Sequence, residues 1–465
     1  MADSGKRGGA PTVGGAILVS NGPGGWDPPC LLLTTPLVLL RYARGVTTLW
    51  QAGAEAPFHA SERSPLVVLE EVLAAIRARL PKVGSGAGKP AFPLAMIAAT
   101  YEFGQRFTPH EHAFPHAGAL RDDEFFASIF IDAFRPDSQG GTERVGYAGV
   151  IPAGWMAGAP ELAATAPGHD APPLTPWPVS SPFPAEYPKP MIGHESHAAL
   201  VEIIRAYLAA GDTYQVNLTV PLAGRSAVSP EAVFDIAMER GGAAYGALFL
   251  TPTATIASFS PELYLRRRGA RIETRPIKGT RAIPTHLSGV VDAKADLLSS
   301  DKDRAEHVMI VDLERNDLGR VCLYGSVEAD PLMRATAHPG LVHLESTVAG
   351  TLRAGVTLEQ IFAATFPGGS VTCAPKRRAL EIIAELETAP RGIYCGALGW
   401  IDADGDMELN LPIRTAVFRV DGSIEYHAGG GIVADSVAGM EWEELHAKVE
   451  FFMEALFTAE HVREA

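Results

Sequence analysis

The chain has 465 residues, of which 47% are hydrophobic and 20% are charged, a composition typical of a folded protein large enough for more than one lobe. Its 39 basic and 54 acidic side chains give a formal net charge of −15, which argues against a nucleic-acid partner or an anionic membrane surface. An anionic substrate would therefore need positive charge gathered locally at its site.

No export or membrane signal is evident. Lys6 and Arg7 precede a glycine-rich stretch and not an apolar run, which is unlike a secretory signal. The apolar run over residues 30–40 is interrupted by Pro36 and falls far short of the roughly 20 residues that span a bilayer. The four cysteines are scattered without metal-binding spacing: Cys30, Cys322, Cys373 and Cys395. We expect a cytoplasmic protein with reduced thiols and no membrane partner.

Glycine and proline divide the N-terminal part of the chain. Residues 1–29 are rich in both, and we expect them to be frayed. Apolar runs within residues 30–150 predict strands, and residues 65–80 predict a helix. Residues 160–190 contain about ten prolines and no amphipathic period. We therefore expect residues 151–192 to be a linker or surface excursion between an N-terminal region (1–150) and a catalytic domain (193–465).

The second half has clearer periodicity. Residues 200–208 carry a helical apolar stripe that Gly211 should end, and residues 214–220 alternate as a strand does. Further strands are predicted at 262–267, 271–274 and 413–420, and further helices at 304–313, 376–386 and 442–457. This order favours an α+β fold built on antiparallel sheet, and not a strict alternation of strands and helices.

Lys278 lies in the segment TRPIKGTR, between a proline and a Gly-Thr turn. A lone loop lysine is more often a solvated surface residue than a nucleophile. A nucleophilic role requires a neutral amine, which burial or the nearby cations Arg275 and Arg281 would favour.

Several carboxylates could take part in catalysis or bind a cation. Glu262 opens an apolar strand, where it could be a general acid or simply a strand-start residue. Glu306 lies on the apolar stripe of a helix, and a buried carboxylate needs a partner. Glu441 and Glu444 precede Lys448 on the last helix, a pattern that fits an exposed ion pair or a Mg²⁺ site.

Two further features suit anion binding. Gly429, Gly430 and Gly431 follow a strand predicted to end near residue 428, and they could bring backbone N–H groups close to an anion or form a tight turn. Arg414, on an otherwise apolar predicted strand, suits a bidentate contact with a carboxylate.

Taken together, residues 195–458 resemble the chorismate-utilising enzymes, which include the anthranilate, aminodeoxychorismate, isochorismate and salicylate synthases. The resemblance rests on ordered motifs: GDTYQVNLT, SPELYL, PIKGTR, AEHVMIVDLERNDLGRV, HLESTVAGTL, PGGSVTCAPKRRA, RGIYCGALGW, LPIRTAVF and GGGIVADSVAGMEWEELHAKV. It implies two large, mostly antiparallel sheets packed as a sandwich with helices outside.

The resemblance also implies roles for individual residues. Those implied for Mg²⁺ are Glu306 and Glu444, supported by Glu441 and Asp303. Those implied for substrate carboxylates and the substrate ring are Tyr394, Arg414, Gly429, Gly431, Lys448, Gly279 and Thr280. Glu262 matches the acid that protonates the departing C4 hydroxyl of chorismate, and His343 matches an active-site histidine.

Two positions distinguish reactions within the family. Gln215 stands where isochorismate and salicylate synthases have a water-activating lysine, so water addition is disfavoured. Lys278 stands where anthranilate synthases usually have alanine, and it resembles the nucleophile of the aminodeoxychorismate synthases. The resemblance therefore implies Mg²⁺-dependent amination of chorismate at C4, on the route to p-aminobenzoate and folate.

None of the four cysteines lies in the G-x-C-x-G setting of glutamine amidotransferases, so a separate amidotransferase subunit is implied as the ammonia source. Two alternatives stay open: an anthranilate synthase component I, and a non-catalytic relative that binds chorismate. Cys373 replaces a glycine that is usual in its motif, which leaves the local backbone geometry undetermined.

Overall fold

A computed structural model describes residues 15–19, 26, 30–33, 36–51, 57, 59–79, 92–108, 123–136, 142–146, 186–241, 243–283, 289–338 and 341–464. Cys322, Cys373 and Cys395 are buried free thiols in this structure.

The strands within these residues are β1 (Ala16–Val19), β2 (Cys30–Leu33), β3 (Val38–Ala43), β4 (Val46–Gln51), β5 (His59–Ser61), β6 (Leu94–Ala99), β7 (Phe125–Phe130), β8 (Asp132–Pro136), β9 (Thr142–Gly146), β10 (Glu186–Pro190), β11 (Val216–Arg225), β12 (Tyr245–Leu250), β13 (Ala254–Ser260), β14 (Leu263–Arg268), β15 (Arg271–Arg275), β16 (Ile277–Ala282), β17 (Glu328–Ala329), β18 (Arg334–His338), β19 (Leu341–Glu345), β20 (Val348–Thr351), β21 (Ala397–Asp402), β22 (Met407–Asn410), β23 (Thr415–Arg419) and β24 (Ser423–Ile432).

The helices within the same ranges are α1 (Pro65–Arg79), α2 (His194–Ala210), α3 (Pro230–Glu239), α4 (Gly289–Ser299), α5 (Asp301–Gly319), α6 (Leu358–Thr365), α7 (Lys376–Leu386) and α8 (Ala438–Glu464). Short 3₁₀ turns occur at Tyr101–Arg106 and Gly369–Val371. Among the described helices, none is both long and apolar enough to cross a membrane.

Most of the described strands form two large antiparallel sheets. One has the order β10-β11-β24-β23-β13-β12-β1-β2-β8-β9, and the other has the order β17-β20-β15-β14-β22-β21-β6-β7-β3-β4-β5. Apolar side chains from both sheets, such as Phe249 from the first and Trp400 from the second, form one buried core between them. The expected α+β sandwich is confirmed.

Helices cover the outer face of each sheet, as the sequence predicts. Helices α3 and α8 pack their apolar residues on the first sheet, and α1, α5 and α6 pack on the second. Helix α2 and helix α7 lie against β11, where Gly211 ends α2 in the left-handed conformation at φ 81°. The alternating run forms β11, as predicted, and because both faces of this strand are covered its polar residues Asn217 and Thr219 are buried as well.

The N-terminal residues contribute to both sheets. The expectation of a frayed segment is wrong for residues 16–19, because the apolar run Ala-Ile-Leu-Val forms β1 between β2 and β12. Trp26 is also buried, and its indole nitrogen donates to the carbonyl of Gly246 at 2.7 Å. Residues 1–14, 20–25 and 27–29 lie outside the described residues.

The proline-rich stretch ends in a strand. Residues 186–190 form β10, at the edge of the first sheet beside β11. An edge strand leaves backbone donors unpaired, which is why it accommodates Pro188 and Pro190. Residues 151–185 lie outside the described residues, and the division of the chain at 151–192 stays a prediction.

Two local predictions need correction. Strand β23 begins at Thr415, so Arg414 precedes the strand and has a left-handed φ of 50°. The glycines at 429–431 continue β24 and form no turn. A β-carbon at Gly429 would lie 2.2 Å from the carbonyl oxygen of Leu218, so glycine is required there by the neighbouring strand β11.

A fully buried arginine connects distant segments near the centre of the molecule. Arg391 forms two hydrogen bonds to the carboxylate of Glu387, at 2.7 and 2.8 Å. It also donates to the carbonyls of Asn217 and Val371, at 2.8 and 3.1 Å, and lies over the ring of Tyr101. The guanidinium is thus hydrogen-bonded on several sides, as a buried charge must be.

We expect Arg391→Met to lower the free energy of unfolding by about 3–5 kcal/mol, because it removes the positive charge that compensates the buried carboxylate of Glu387. Urea denaturation measures this. The matched control is Arg205→Ala, which breaks an exposed ion pair with Glu202 and should cost less than about 1 kcal/mol. Equal effects of the two substitutions would contradict the assignment.

Candidate active site

Lys278 lies on β16, in a small antiparallel sheet with the order β16-β19-β18. It is half-buried, and its ammonium makes no hydrogen bond or ion pair within the part of the chain that the structure describes. Three carboxylates lie within its electrostatic reach: Glu262, Glu306 and Glu444. The structure thus brings the candidate nucleophile, the candidate acid and two candidate metal ligands into one region.

The two arginines beside Lys278 are themselves paired with acids. Arg275 donates to Glu273 at 2.8 Å. Arg281 bonds to Asp296 and to Asp303, the latter at 2.7 Å. Their charges are therefore partly neutralised, which weakens the expectation that they favour a neutral amine on Lys278.

Glu262 has the environment of a general acid. Its carboxyl group is buried and accepts hydrogen bonds from the hydroxyl of Ser370 at 2.6 Å and from the backbone N–H of Ile277. Burial raises the pKa of Glu262 to about 7, and the hydrogen bond from Ser370 and the charge of Lys278 oppose the rise. A carboxyl group with such a pKa is partly protonated near neutral pH and can donate its proton.

The predicted Gly-Thr turn after Lys278 is wrong, because Gly279 and Thr280 continue β16, whose pairing with β19 shifts in register between Lys278 and Thr280. Gly279 has φ 68°, which favours glycine, and a β-carbon there would lie 2.8 Å from Leu297 and 3.1 Å from Asp303. Thr280 shares a hydrogen bond of 2.9 Å with Nδ1 of His343 on β19. Asp303 therefore lies against Gly279, where it pairs with Arg281.

Two of the candidate metal ligands face one glycine. A β-carbon at Gly430 would lie 3.6 Å from oxygens of both Glu441 and Glu444. Lys448 connects α8 to β24, since its ammonium contacts Glu444 at 2.6 Å and donates to the carbonyl of Gly429 at 2.7 Å. Lys448 lowers the pKa of Glu444, whereas burial raises the pKa of Glu441. The ion pair that the spacing suggested is present.

Glu306 is joined to this group through Gln215. The amide nitrogen of Gln215 donates to Glu306 at 2.9 Å, and the same amide occupies the space that a β-carbon at Gly431 would need. Burial raises the pKa of Glu306, and a nearby positive charge opposes this rise by favouring the ionised form.

The donor set fits Mg²⁺. Among the described side chains, no group of three or more His, Cys, Asp or Glu residues is close enough to hold a metal ion by itself. Mg²⁺ in proteins often takes only one or two carboxylates and completes its shell with water and substrate oxygens. Glu441 and Glu444 supply hard oxygen donors beside Gly430 and lie close enough to repel each other, and Glu306 shares the neighbouring charge of Lys302 with both.

Cys373 keeps the backbone conformation of a glycine. Its φ is 82°, in the left-handed region that side chains seldom adopt. Its buried thiol donates to the amide oxygen of Gln215 at 3.1 Å. Because an ionised Glu306 can only accept, the NH₂ of Gln215 must face Glu306 and its oxygen must face the thiol. The thiol at this left-handed position is thus hydrogen-bonded to Gln215, which in turn contacts Glu306.

Arg414 and Tyr394 are two of the candidate residues for binding a substrate carboxylate. Arg414 is half-buried, burial lowers its pKa, and no carboxylate pairs with it among the residues described here. Tyr394 is buried and stacks on His427 with ring centroids 5.5 Å apart. An unpaired, partly desolvated guanidinium is suited to a carboxylate ligand.

Sequence reasoning missed three neighbours of the site. Ser370 contacts Glu262, and its position after a Gly-Gly pair was the available signal. Lys302 lies within electrostatic reach of Glu306, Glu441 and Glu444, and it precedes Glu306 by one helical turn. Tyr426 interacts electrostatically with both Tyr394 and Arg414, and no sequence pattern indicated it.

The chain matches the model of a protein family described as chorismate binding enzyme over residues 35–454. A relative named anthranilate synthase component 1 1, from Haloarcula marismortui, is 44% identical over 252 residues, which cover 54% of this chain and 51% of the relative. One named aminodeoxychorismate synthase component 1, from Bacillus subtilis, is 40% identical over 260 residues, covering 56% and 55%. These matches span about half the length of the curated relatives.

The fold is similar to that of a solved structure, anthranilate synthase component I from Streptococcus pneumoniae. The TM-score is 0.70 at 23% sequence identity, and the match covers 97% of this chain and 95% of the other.

The raised pKa of Glu262 predicts how stability depends on pH. Because the folded state favours the protonated acid, its contribution is present below about pH 4.5 and is lost as the pH rises to about 7. Glu262→Gln stays neutral at every pH. The difference in free energy of unfolding, variant minus wild type, should therefore increase by roughly 3 kcal/mol across this interval. Denaturant titrations at several pH values measure the difference, and parallel curves for the two proteins would contradict it.

Proposed function

Because the chain belongs to the family of chorismate binding enzymes, we propose that it is an aminodeoxychorismate synthase component I. In this proposal it converts chorismate and ammonia to 4-amino-4-deoxychorismate, the precursor of p-aminobenzoate. The observation that carries the proposal is the position of Lys278, half-buried and without an ion pair among the described residues, within reach of Glu262.

The proposed reaction has two displacements. The lone pair of Lys278 attacks C2 of chorismate, the ring double bonds shift, and the C4–O bond breaks while Glu262 gives its proton to the departing hydroxyl, which leaves as water. Ammonia then attacks C4, the double bonds shift back, and the C2–N bond to Lys278 breaks. Glu262, now ionised, takes the excess proton from the new amine, and Lys278 leaves as a neutral amine.

Binding of the substrate is supported by the distribution of positive charge. Arg414 is available for one carboxylate of the substrate, and β24 presents a glycine backbone beside it. Glu306, Glu441 and Glu444 would hold Mg²⁺, which would neutralise the other carboxylate when bound. The local cations and this metal site explain how a chain of net charge −15 could bind a dianion.

We propose that ammonia comes from a separate glutamine amidotransferase subunit and that the protein acts in the cytoplasm. Free ammonium at mildly alkaline pH should replace that subunit in the test tube.

Anthranilate synthase component I is the second candidate, since a relative with that name is 44% identical to part of this chain. That reaction needs nitrogen at C2 and releases pyruvate. A permanent amine at Lys278 would occupy the space near C2 and obstruct ammonia there. A non-catalytic chorismate-binding role is opposed by the joint presence of Glu262, Lys278, Glu306 and Glu444.

The test is mass-resolved chromatography of the products formed from chorismate, Mg²⁺ and ammonium. Aminodeoxychorismate without pyruvate is the expected result. Anthranilate with pyruvate would move the function to the second candidate. Binding of chorismate without turnover, in the presence of an amidotransferase subunit, would favour the non-catalytic role.

We expect Lys278→Ala to reduce aminodeoxychorismate formation by at least about a thousandfold, because the covalent route is lost. Quenched-reaction mass spectrometry of the wild type should also detect an adduct on Lys278. Lys189→Ala, at an exposed lysine on β10, is the control and should retain full activity. Unchanged product formation by Lys278→Ala would refute the nucleophile assignment.

We expect Glu444→Gln to raise the Mg²⁺ concentration for half-maximal activity by about tenfold or more, because one anionic oxygen donor is lost. Binding of Mn²⁺, followed by electron paramagnetic resonance without substrate, should weaken in parallel. Glu443→Gln, at an exposed neighbour on α8, is the matched control. Identical metal titrations of wild type and Glu444→Gln would remove this residue from the site.

A further inference from the structure

The segment Gly369–Val371 is held by hydrogen bonds on both sides of Ser370. The backbone N–H of Gly369 donates to the buried carboxyl group of Glu314 at 2.9 Å. The carbonyl of Val371 accepts from Arg391 at 3.1 Å. These two contacts come from different parts of the chain and leave the short 3₁₀ turn little freedom to move.

The turn fits tightly against α5. A β-carbon at Gly369 would lie 2.7 Å from the side chain of Leu313 and 2.8 Å from an oxygen of Glu314. Glycine is therefore needed at 369 for the turn to approach the helix this closely. The half-buried Lys376, bonded to Asp317 and to the carbonyls of Thr365 and Pro367, holds the residues just before this segment against α5.

The 3₁₀ turn at 369–371 brings the hydroxyl group of Ser370 to Glu262. Ser370 is buried, and its hydroxyl donates to Oε1 of Glu262 at 2.6 Å. Ser260 is also close, but it contacts the backbone N–H of Glu262 at 3.1 Å and leaves the carboxyl group alone. Ser370 thus hydrogen-bonds the carboxyl group of Glu262 from a turn that is itself held by hydrogen bonds on both sides.

We infer that Ser370 is a positioning residue for the acid: by donating to Oε1 of Glu262 it fixes the orientation in which the carboxyl group presents its transferable proton. This rests on the proposed role of Glu262 in the amination of chorismate. Without the hydroxyl, the carboxyl group keeps the backbone N–H of Ile277 as a hydrogen-bond donor but loses the side-chain contact that holds its orientation, so proton donation would slow.

The charged and titratable groups around Glu262 set the direction of the test. Lys278 faces it from β16, Glu345 from β19, Glu314 from α5 and Cys395 from the loop before β21. None of these changes when Ser370 is replaced. Because the hydroxyl stabilises the ionised form of Glu262, its removal must raise the pKa of that carboxyl group.

The experiment is an infrared pH titration of the full chain without substrate. The protonated carboxyl band that Glu262→Gln removes is assigned to Glu262. In Ser370→Ala we expect its midpoint to move up by about one pH unit, and in Ser370→Thr, which keeps a hydroxyl, to return close to the wild-type value. An unmoved midpoint in Ser370→Ala would overturn the inference. If Ser370→Ala does not fold, Ser370→Cys, a weaker donor of similar volume, is read in the same way.

Kinetics then test the positioning. For chorismate amination, Ser370→Ala should lower kcat by about tenfold or more while KM stays within about threefold, and Ser370→Thr should recover most of kcat. A fall of similar size in both variants, or a loss confined to KM, would contradict a positioning role. A wild-type protein that aminates no chorismate would overturn the proposed function and leave the infrared result to stand separately.

Discussion

A buried guanidinium must be hydrogen-bonded from several sides, and Arg391 meets this requirement with groups from several parts of the sequence. Its partners come from the end of α7, from β11, from the 3₁₀ turn at 369–371 and from the ring of Tyr101. In addition, the backbone N–H of Arg391 donates to Glu102, so the N-terminal part of the chain is tied to the same point. The 3₁₀ turn that carries Ser370 and the strand that follows Gln215 therefore meet around one buried charge.

The pKa values of the carboxyl groups at the site depend on how deeply each is buried and on which charges lie beside it. Burial makes ionisation of Glu262 costly and raises its pKa, while Lys278 lies close enough to oppose that rise. The carboxylates near β24 differ from one another. Lys448 lowers the pKa of Glu444, whereas burial raises the pKa of Glu306. One region thus holds a carboxyl group suited to donating a proton and carboxylates suited to a cation, and the difference arises from their surroundings.

Local patterns in the sequence predicted much of this arrangement, and contacts between distant segments account for what they missed. The stripe ending at Gly211 and the spacing of Glu444 and Lys448 were correct because each depends on residues within one or two helical turns. The extended path of β24 through Gly429 depends on β11 some two hundred residues away, so composition alone suggested a turn. The contact between Cys373 and Gln215 is likewise visible only once the fold is known.

Lys278 lies on a small three-stranded sheet, whereas Glu306 lies on α5 and Glu441, Glu444 and Lys448 lie on α8. The residue proposed to form the new bond and the residues proposed to hold the cation therefore belong to different elements. Under the proposed function, a replacement at position 278 can change the reaction while the helices that carry the cation ligands stay the same. Such a division gives one architecture the capacity to acquire a different reaction by few amino-acid replacements, with little loss of stability along the way.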